Sequence, residues 1–326
     1  MRYSFVEAGK YIPVGIDGKL YLDVGNALIK GVIDHHQPSA PKHSATHLVY
    51  ENAKLLGLDT QEIVLHQSPD LDCAASSYLA SRYLQNKELP TFAKELAVFL
   101  DKVDFGYAAN SALSLHSLYE FIKAECSSDE EALLKGHKLI EEMSATGFES
   151  GALPDSLSKY KQTIEDDYDS YRQDYENSIA IACNLPIKNA NGFSECKGLV
   201  IKKPQSKLFK TWARNDTKHA ENGFELLIVQ LSDRRTIISV KADGMYFLKG
   251  LGDLINESEK KKLREKGIFV DGANRVGYDM PDPWYDGRNP SHNYTIIDSP
   301  RRGSELDFEE VLQIVKRYCA HSERMV

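Results

Sequence analysis

Residues 62–79 read EIVLHQSPDLDCAASSYL, an apolar run that ends in polar residues and leads into a helix. Glu62–His66 is typical of a short strand, and apolar residues recur at helical spacing from Cys73 to Leu84. The same alternation occurs earlier in the chain, in two strands and a helix: Tyr21–Val24, Gly31–Asp34 and Thr46–Leu56. Strands that alternate with helices predict an α/β fold, in which helices cover both faces of a mostly parallel sheet. In such sheets functional residues gather beyond the carboxyl ends of the strands.

The chain of 326 residues is long enough for two domains, and the sequence changes character twice along it. Residues 1–125 form the predicted α/β domain, 126–180 an acidic helical connector, and 181–326 a smaller α+β domain. Their net charges are −4, −8 and +4, so the connector alone carries a charge equal to that of the whole chain. No segment is basic enough to predict binding of duplex nucleic acid. A small anionic ligand held through metal ions is compatible with these charges.

Composition and cysteine usage indicate the cellular compartment in which the protein is expected. Hydrophobic residues make up 42% of the chain and charged residues 27%, which excludes a mostly disordered protein. No run approaches about 18 apolar residues, and the N-terminus lacks the apolar core of a secretory signal, so no membrane span or secretion is expected. The five cysteines are scattered and never form CxxC, which argues against a disulfide framework and a structural zinc site. We therefore expect a cytoplasmic protein.

Side chains that can ligate metal ions concentrate at the strand ends of the first domain. They fall in four segments: Asp23; Asp34, His35 and His36; His66, Asp70 and Asp72; and Asp101 with Asp104. A single Asp at a strand end is usually a helix cap or a turn former. Six carboxylates brought together would repel one another, and two divalent cations would offset that repulsion. Oxygen and imidazole donors favour Mn²⁺, with Mg²⁺, Fe²⁺ or Co²⁺ as alternatives, and Cys73 is assigned to packing of the helix start.

Two of these segments resemble the signature motifs of the DHH phosphoesterase superfamily. Asp34-His35-His36, with the segment SATHLVYE that begins at Ser44, is similar to the name-giving motif and the helix after it. The segment HQSPDLDCAAS, which begins at His66, is similar to the family signature HxNPDxDAxGS. The resemblance is weaker for Asp23 and for Asp104, which precedes a glycine by two positions as the last Asp ligand of the family precedes one. It covers about residues 1–125 and implies a DHH-like catalytic domain.

The resemblance also implies a role for each residue. The implied ligands are His66 and Asp70 for one metal ion, Asp72, His35 and Asp104 for the second, and Asp23 as the bridge between them. His36 would face the scissile phosphate, and Asp34 would hold a histidine in place. Two ions bound in this way would activate a hydroxide for attack on phosphorus. Asp101 is the rival of Asp104 for the last position, because in a helix the two residues are one turn apart.

The sequence departs from the family pattern in two respects. In most family members the HxxxDxD motif precedes DHH, whereas here DHH comes first; neighbouring parallel strands can still build the same cluster from a rearranged order. The glycine-rich GGH-type loop of many family members is absent from this sequence. Its nearest counterpart is a Gly/Pro-rich tract with the candidate substrate-binding residues Trp284, Arg288, His292, Arg301 and Arg302.

That C-terminal tract has two interpretations. Arginines can fork onto phosphate oxygens while an aromatic ring such as Trp284 stacks on a base. Alternatively, the same residues pack a long loop against a sheet. A second, weaker candidate for substrate binding is the group Lys207, Lys210, Trp212 and Arg214.

The sequence thus predicts a Mn²⁺-dependent hydrolase: a phosphoesterase that cleaves phosphodiester bonds of short or single-stranded nucleotides, as a phosphodiesterase or nuclease. An inorganic pyrophosphatase is the closest alternative, and a non-catalytic DHH subunit that senses a nucleotide is the alternative from another class. The expected partners are a small phosphorylated or nucleotide substrate and single-stranded nucleic acid, with a homodimer left open.

Overall fold

The computed structural model describes residues 1–7, 18–37, 41–57, 59–106, 111–268, 282–288, 293–300 and 302–321. These residues divide into two compact units, Met1–Ile164 and the part that begins at Glu165. The division falls inside the segment 126–180, and the domain borders drawn from the sequence at 125 and 180 stay predictions. Among the described residues, no helix combines the length and the apolar character that crossing a membrane requires.

The first unit is built on a sheet whose strand order, in the described residues, is β1-β5-β2-β4-β3. The strands are β1 (Arg2–Val6), β2 (Lys19–Leu22), β3 (Leu28–Ile29), β4 (Val32–Ile33) and β5 (Glu62–His66). All neighbouring pairs are parallel except β3 and β4, which are antiparallel. The predicted α/β class with a mostly parallel sheet is confirmed for this unit.

The register of three adjacent parallel strands sets the position of the polar residues that follow them. Leu22 in β2 pairs with Ile33 in β4, so Asp23 and Asp34 leave their strands side by side. Tyr21 pairs with Val64 in β5, which brings His66 level with Asp23. The apolar strand residues before them are almost fully buried and fix this register, because a slip of one residue would turn every side chain to the opposite face.

Helices pack on this sheet and complete the first unit. They are α1 (Ala45–Glu51), α2 (Leu71–Asn86), α3 (Ala93–Asp104), α4 (Leu115–Ala124) and α5 (Asp129–Met143), with short 3-10 turns at Ala53–Leu55 and Asp155–Leu157. Every residue of α2 from Leu71 to Ser81 is buried, so this helix lies inside the unit. On α5, a Cβ at Gly136 would lie only 2.7 Å from the ring of Tyr119, which shows how closely α4 and α5 pack.

The second unit contains a mixed sheet with the strand order β10-β11-β9-β8-β7-β6. Its strands are β6 (Ile179–Pro186), β7 (Phe193–Lys202), β8 (Leu226–Ser232), β9 (Arg235–Val240), β10 (Tyr285–Asp286) and β11 (Ile296–Asp298). Among the described strands of this sheet, only β7 and β8 pair in parallel. The helices from the unit boundary onward are α6 (Lys159–Glu176), to which both units contribute, α7 (Phe209–Asn215), α8 (Leu251–Glu265) and α9 (Phe308–His321).

The structure differs from the sequence analysis in the state of two cysteines. Cys183 in β6 and Cys319 in α9 form a disulfide, although 136 residues separate them and no disulfide was expected. Both residues belong to the buried core between the sheet and α9, which places their sulfur atoms together. Spacing along the chain gives no signal for such a pair, because β6 and α9 meet only in the folded unit. Cys73, Cys126 and Cys196 are free thiols.

Candidate metal centre

Asp23 lies at the middle of the polar cluster that the three parallel strands bring together. It follows β2 directly, in the left-handed backbone region with φ 56°, and is 3% exposed. Its Oδ1 lies 3.1 Å from Nε2 of His35, and its Oδ2 lies 3.4 Å from Nε2 of His66. One carboxylate oxygen therefore faces each of two imidazoles, which is the arrangement of a carboxylate that can bridge two metal ions.

The first ligand group surrounds His66. Asp23, His66, Asp70 and Cys73 each offer a ligand atom, and these atoms all lie within 4.8 Å of one another. Nδ1 of His66 donates to the carbonyl oxygen of Gln67 at 2.9 Å, which leaves the lone pair of the neutral ring on Nε2. That nitrogen lies 3.6 Å from Oδ2 of Asp70, so the side chains converge on one point.

The second ligand group consists of His35, Asp72 and Asp104, whose ligand atoms also lie within 4.8 Å of one another. Nδ1 of His35 lies 3.5 Å from Oδ2 of Asp104, and its Nε2 lies 4.0 Å from Oδ2 of Asp72. His35 is only 7% exposed, yet its Nδ1 has no hydrogen-bond partner. A neutral imidazole offers one lone pair, so only one of the two nitrogens could bind an ion, and a bridge by Asp23 requires that it be Nε2.

The electrostatics of the cluster also suit cations. Burial and the neighbouring carboxylates of Asp23 and Asp70 raise the pKa of Asp104 to about 6, although His35 opposes the shift. Burial, with the charges of Asp23 and Asp104, raises the pKa of Asp72 well above its ordinary value. The carboxylates therefore repel one another in a buried pocket, and divalent ions would supply the missing positive charge. The donors present fit oxygen- and nitrogen-binding metal ions.

Asp72 has a second task besides facing His35. Its Oδ2 accepts from the backbone N–H of Ala45 at 2.7 Å, and its Oδ1 accepts from the N–H and the hydroxyl of Thr46 at 2.9 and 2.6 Å. These two residues form the first turn of α1, whose N–H groups have no partner inside the helix. A carboxylate oxygen has more than one lone pair, so these bonds leave capacity for a cation.

Asp34 is the buried anchor of the Asp-His-His segment. It is 0% exposed, and its Oδ1 accepts from Nδ1 of His36 at 2.6 Å and from the backbone N–H of His35 at 2.7 Å. Its Oδ2 accepts from the N–H of Asn26 at 2.6 Å. Although burial lowers the pKa of His36, the charge of Asp34 raises it on balance. Asp34 thus fixes the ring of His36 beside the cluster, in the positioning role that the family resemblance implies.

The structure separates the two rival residues of α3. Asp104 faces His35 as described, whereas Asp101 accepts hydrogen bonds from Nδ1 of His43 at 2.8 Å and from Nδ1 of His47 at 2.6 Å. It also accepts from the backbone N–H of Ser44 at 2.8 Å. Of the two, Asp104 therefore belongs to the ligand group and Asp101 to a separate cluster.

A cavity of about 200 Å³ opens beside the second ligand group. Its polar lining residues include Asp70, Asp72, Asp104, His116 and Glu120. Burial, followed by the charge of Asp70, raises the pKa of Glu120. An anionic substrate could occupy such an acidic cavity only together with cations.

The candidate substrate-binding residues of the C-terminal tract occupy different surroundings from those expected. Trp284 is 0% exposed in the core of the second unit, and its indole N–H donates to Oε2 of Glu259 at 3.1 Å. Its ring has no open face on which a base could stack, so we correct the expected stacking role to a core role. The Arg288 guanidinium forms ion pairs with Asp286 and Asp253, and Arg302 is exposed. His292 and Arg301 lie outside the described residues.

The second substrate-binding candidate includes two side chains with structural contacts. Arg214 is 1% exposed and donates to the carbonyl oxygens of Phe224 and Ser239 at 2.6 and 2.9 Å. The indole N–H of Trp212 donates to Asp167 at 2.9 Å. These contacts hold the second unit together.

Two groupings of ligand-type side chains were not predicted from the sequence, one beside His66 and one in the separate cluster of Asp101. Cys73 was assigned to packing, yet its thiol belongs to the ligand group of His66. Its position directly after Asp72 was the available signal, since the first turn of a helix can face the same pocket as its cap. The histidines that contact Asp101 were not noticed, because their partner lies more than 50 residues away in sequence.

Comparisons of the chain with protein-family models, with curated proteins and with solved structures gave no match. The resemblance to DHH phosphoesterases therefore rests on the motif residues, and the geometry of the site is the main support for a function.

Proposed function

We propose that the chain is a Mn²⁺-dependent phosphoesterase that hydrolyses phosphodiester bonds of short or single-stranded nucleotides. One observation carries the proposal: the two oxygens of Asp23 face two separate imidazoles, each within its own ligand group. This is the arrangement that a pair of adjacent divalent ions would need.

In this proposal each side chain has a defined role. His66 and Asp70 would hold one ion, His35, Asp72 and Asp104 the other, and Asp23 both. The chemistry that two such ions would supply is a lowered pKa of a bound water molecule and compensation of negative charge at phosphorus. Asp34 holds the ring of His36 at the edge of the cluster, where the imidazole would donate a hydrogen bond to a phosphate oxygen.

A pyrophosphatase-like activity is a second candidate, and one observation favours it. Of the three aromatic residues that favour a base-bearing substrate in the sequence, Trp284 is 0% exposed and Tyr285 6%, and only Tyr294 is partly exposed. The preference for nucleotides then rests mainly on the family resemblance, whereas the acidic cavity of about 200 Å³ suits a compact phosphate equally well. The third alternative, a non-catalytic nucleotide sensor, is disfavoured because the ligand groups are intact.

A direct assay tests the proposal. The protein, freed of metal by a chelator and reloaded with Mn²⁺, is incubated with a dinucleotide, a short single strand, a cyclic dinucleotide and pyrophosphate. We expect hydrolysis of at least one nucleotide, and none in excess chelator. Exclusive hydrolysis of pyrophosphate would support the second candidate instead. Full activity in chelator, or no hydrolysis of any of the four by the loaded protein, would overturn the phosphoesterase proposal.

Asp23→Asn is the matched inactive variant for this assay. Asn tolerates the left-handed backbone conformation of Asp23 almost as well as Asp does, so the fold should survive. The variant removes the bridging charge and keeps the shape of the side chain. We expect it to lose activity by several orders of magnitude while its melting temperature changes little, because the cluster acts as a unit.

A further inference from the structure

A second cluster of ligand-type side chains lies around the start of α1 and on α3, outside the site described above. His43, His47 and Glu51 follow one another at intervals of four residues, and their ligand atoms all lie within 4.8 Å of one another. The ring centroids of the two histidines are 3.9 Å apart, and Nε2 of His47 lies 3.6 Å from Oε1 of Glu51. His47 and Glu51 lie four residues apart on one face of α1, and His43 directly precedes the N-cap Ser44 of that helix, with its ring beside that of His47.

Asp101 gives this cluster the form of a metal site. Its Oδ2 accepts from Nδ1 of His43 at 2.8 Å and from Nδ1 of His47 at 2.6 Å. A carboxylate accepts only, so both Nδ1 atoms carry the proton and the lone pair of each neutral ring lies on Nε2. Histidines that bind metals are commonly oriented by a carboxylate on the other ring nitrogen in this way.

We propose that His43, His47 and Glu51 bind a single transition-metal ion, with Zn²⁺ as the natural occupant, and that Asp101 is the positioning residue. Two imidazoles and one carboxylate form a known type of zinc ligand set, which leaves a fourth position for water or a substrate group. The set differs from the first cluster, where carboxylates predominate.

The exposure of the side chains is compatible with entry of an ion from solvent. His43 is 33% exposed, His47 14% and Glu51 48%, so the cluster has one open side. The inner side is closed by Asp101, which is 17% exposed. If the cluster instead only tied α1 to α3 through hydrogen bonds, Glu51 would be dispensable and no ion would be retained. The two explanations therefore predict different effects of replacing Glu51 on the retention of an ion.

The experiment is a zinc titration of the metal-free full chain by calorimetry, with zinc content measured after gel filtration. The variants are His47→Gln and Glu51→Gln. We expect each variant to retain one zinc ion per chain fewer than the native protein, with about 100-fold weaker binding at that site. Because Glu51 is largely exposed, Glu51→Gln should fold normally even where His47→Gln loosens the contact between the helices. Unchanged zinc content and affinity in Glu51→Gln would overturn the proposal.

Two controls separate this site from the first cluster. His219→Gln removes a histidine whose Nδ1 is also held by a carboxylate, that of Asp216, but which belongs to no ligand group among the described residues. Its zinc content should equal that of the native chain, and an equal loss in His219→Gln would count against the proposal. In the Asp23→Asn background, Glu51→Gln should again remove one ion. That difference holds whether or not the chain hydrolyses phosphoesters.

Discussion

Oδ2 of Asp104 lies 3.5 Å from Nδ1 of His35, whereas Asp101, one turn earlier in α3, contacts His43 and His47 instead. This relationship assigns two neighbouring carboxylates to two different clusters. Asp104→Asn should therefore lower Mn²⁺-dependent kcat/KM by several orders of magnitude, because it removes a ligand from a unit. Asp101→Asn should leave most of that activity. Steady-state kinetics measure the activity of both variants on the substrate that the hydrolysis assay with the four compounds identifies. Equal losses in the two variants would contradict the assignment.

His36 is expected to act on the substrate and not on the metal ions. His36→Gln should lower kcat by about 10²–10⁴-fold, the usual range for a positioned acid or base, and leave the bound manganese unchanged. Metal content by elemental analysis, measured on the same samples as kcat, separates the two effects. Loss of manganese in this variant would make His36 a ligand.

Cys73 should influence which metal ion the first ligand group prefers. A thiol beside His66 and Asp70 adds a soft donor, which favours Zn²⁺ over Mn²⁺. In Cys73→Ser we expect zinc binding at this group to weaken by about tenfold or more, with Mn²⁺-dependent activity retained. Competition titrations of Zn²⁺ against Mn²⁺ measure the change. Cys126→Ser is the control, since Cys126 is a free thiol outside the ligand groups of the described residues, and it should behave as the native chain.

His137 should make folding stability depend on pH. Burial, with the charge of Arg82, lowers its pKa from 6.5 to about 4, and its Nε2 lies 2.8 Å from the hydroxyl oxygen of Ser77. Between pH 6.5 and pH 4 the unfolded chain takes up a proton that the folded chain does not. Stability is thus complete above pH 6.5 and falls as the pH drops towards 4, by at most about 3 kcal/mol. Urea unfolding at pH 7, 6 and 5 should show a smaller loss in His137→Gln than in the native chain; parallel losses would exclude this role.

Trp284 should contribute to stability and not to substrate binding. Trp284→Ala empties a fully buried site and should lower the free energy of unfolding by about 3–5 kcal/mol, with kcat/KM per folded molecule unchanged. Arg302→Ala changes an exposed residue, and its effect on stability should stay within about 0.5 kcal/mol. A lowered kcat/KM in Arg302→Ala would favour the prediction that the C-terminal tract binds the phosphate of the substrate.

Regular parts of the fold could be predicted from the sequence. Glu62–His66 was expected as a strand and is β5 with the same bounds, and α2 begins at Leu71, two residues before the expected start, because Asp70 caps it. β1 (Arg2–Val6) was not predicted: it pairs with β5 alone and is only partly buried, so its residues lack a clear apolar pattern. Local hydrophobic patterns reflect burial, and an edge strand such as β1 is only partly buried.

The candidate site shows the same limit. Strand-end residues such as Asp23 and His66 could be proposed as neighbours because parallel strands bring their carboxyl ends to one edge. The contacts of Asp101 with His43, just before α1, and His47, on α1, depend on how separate elements pack, as does the disulfide between β6 and α9. Such contacts leave no periodic trace in the sequence. The burial of Trp284 likewise depends on how separate elements pack.

The position of Asp72 links helix formation to ion binding. The carboxylate that faces His35 is also the acceptor for the first amides of α1. A well-formed α1 holds this carboxylate in the orientation that a cation would require, so a bound cation would in turn stabilise the first turn of α1. Ion binding in the pocket and formation of the first turn of α1 are therefore thermodynamically linked. The amide protons of Ala45 and Thr46 become a built-in reporter, whose exchange with solvent should change when the pocket fills.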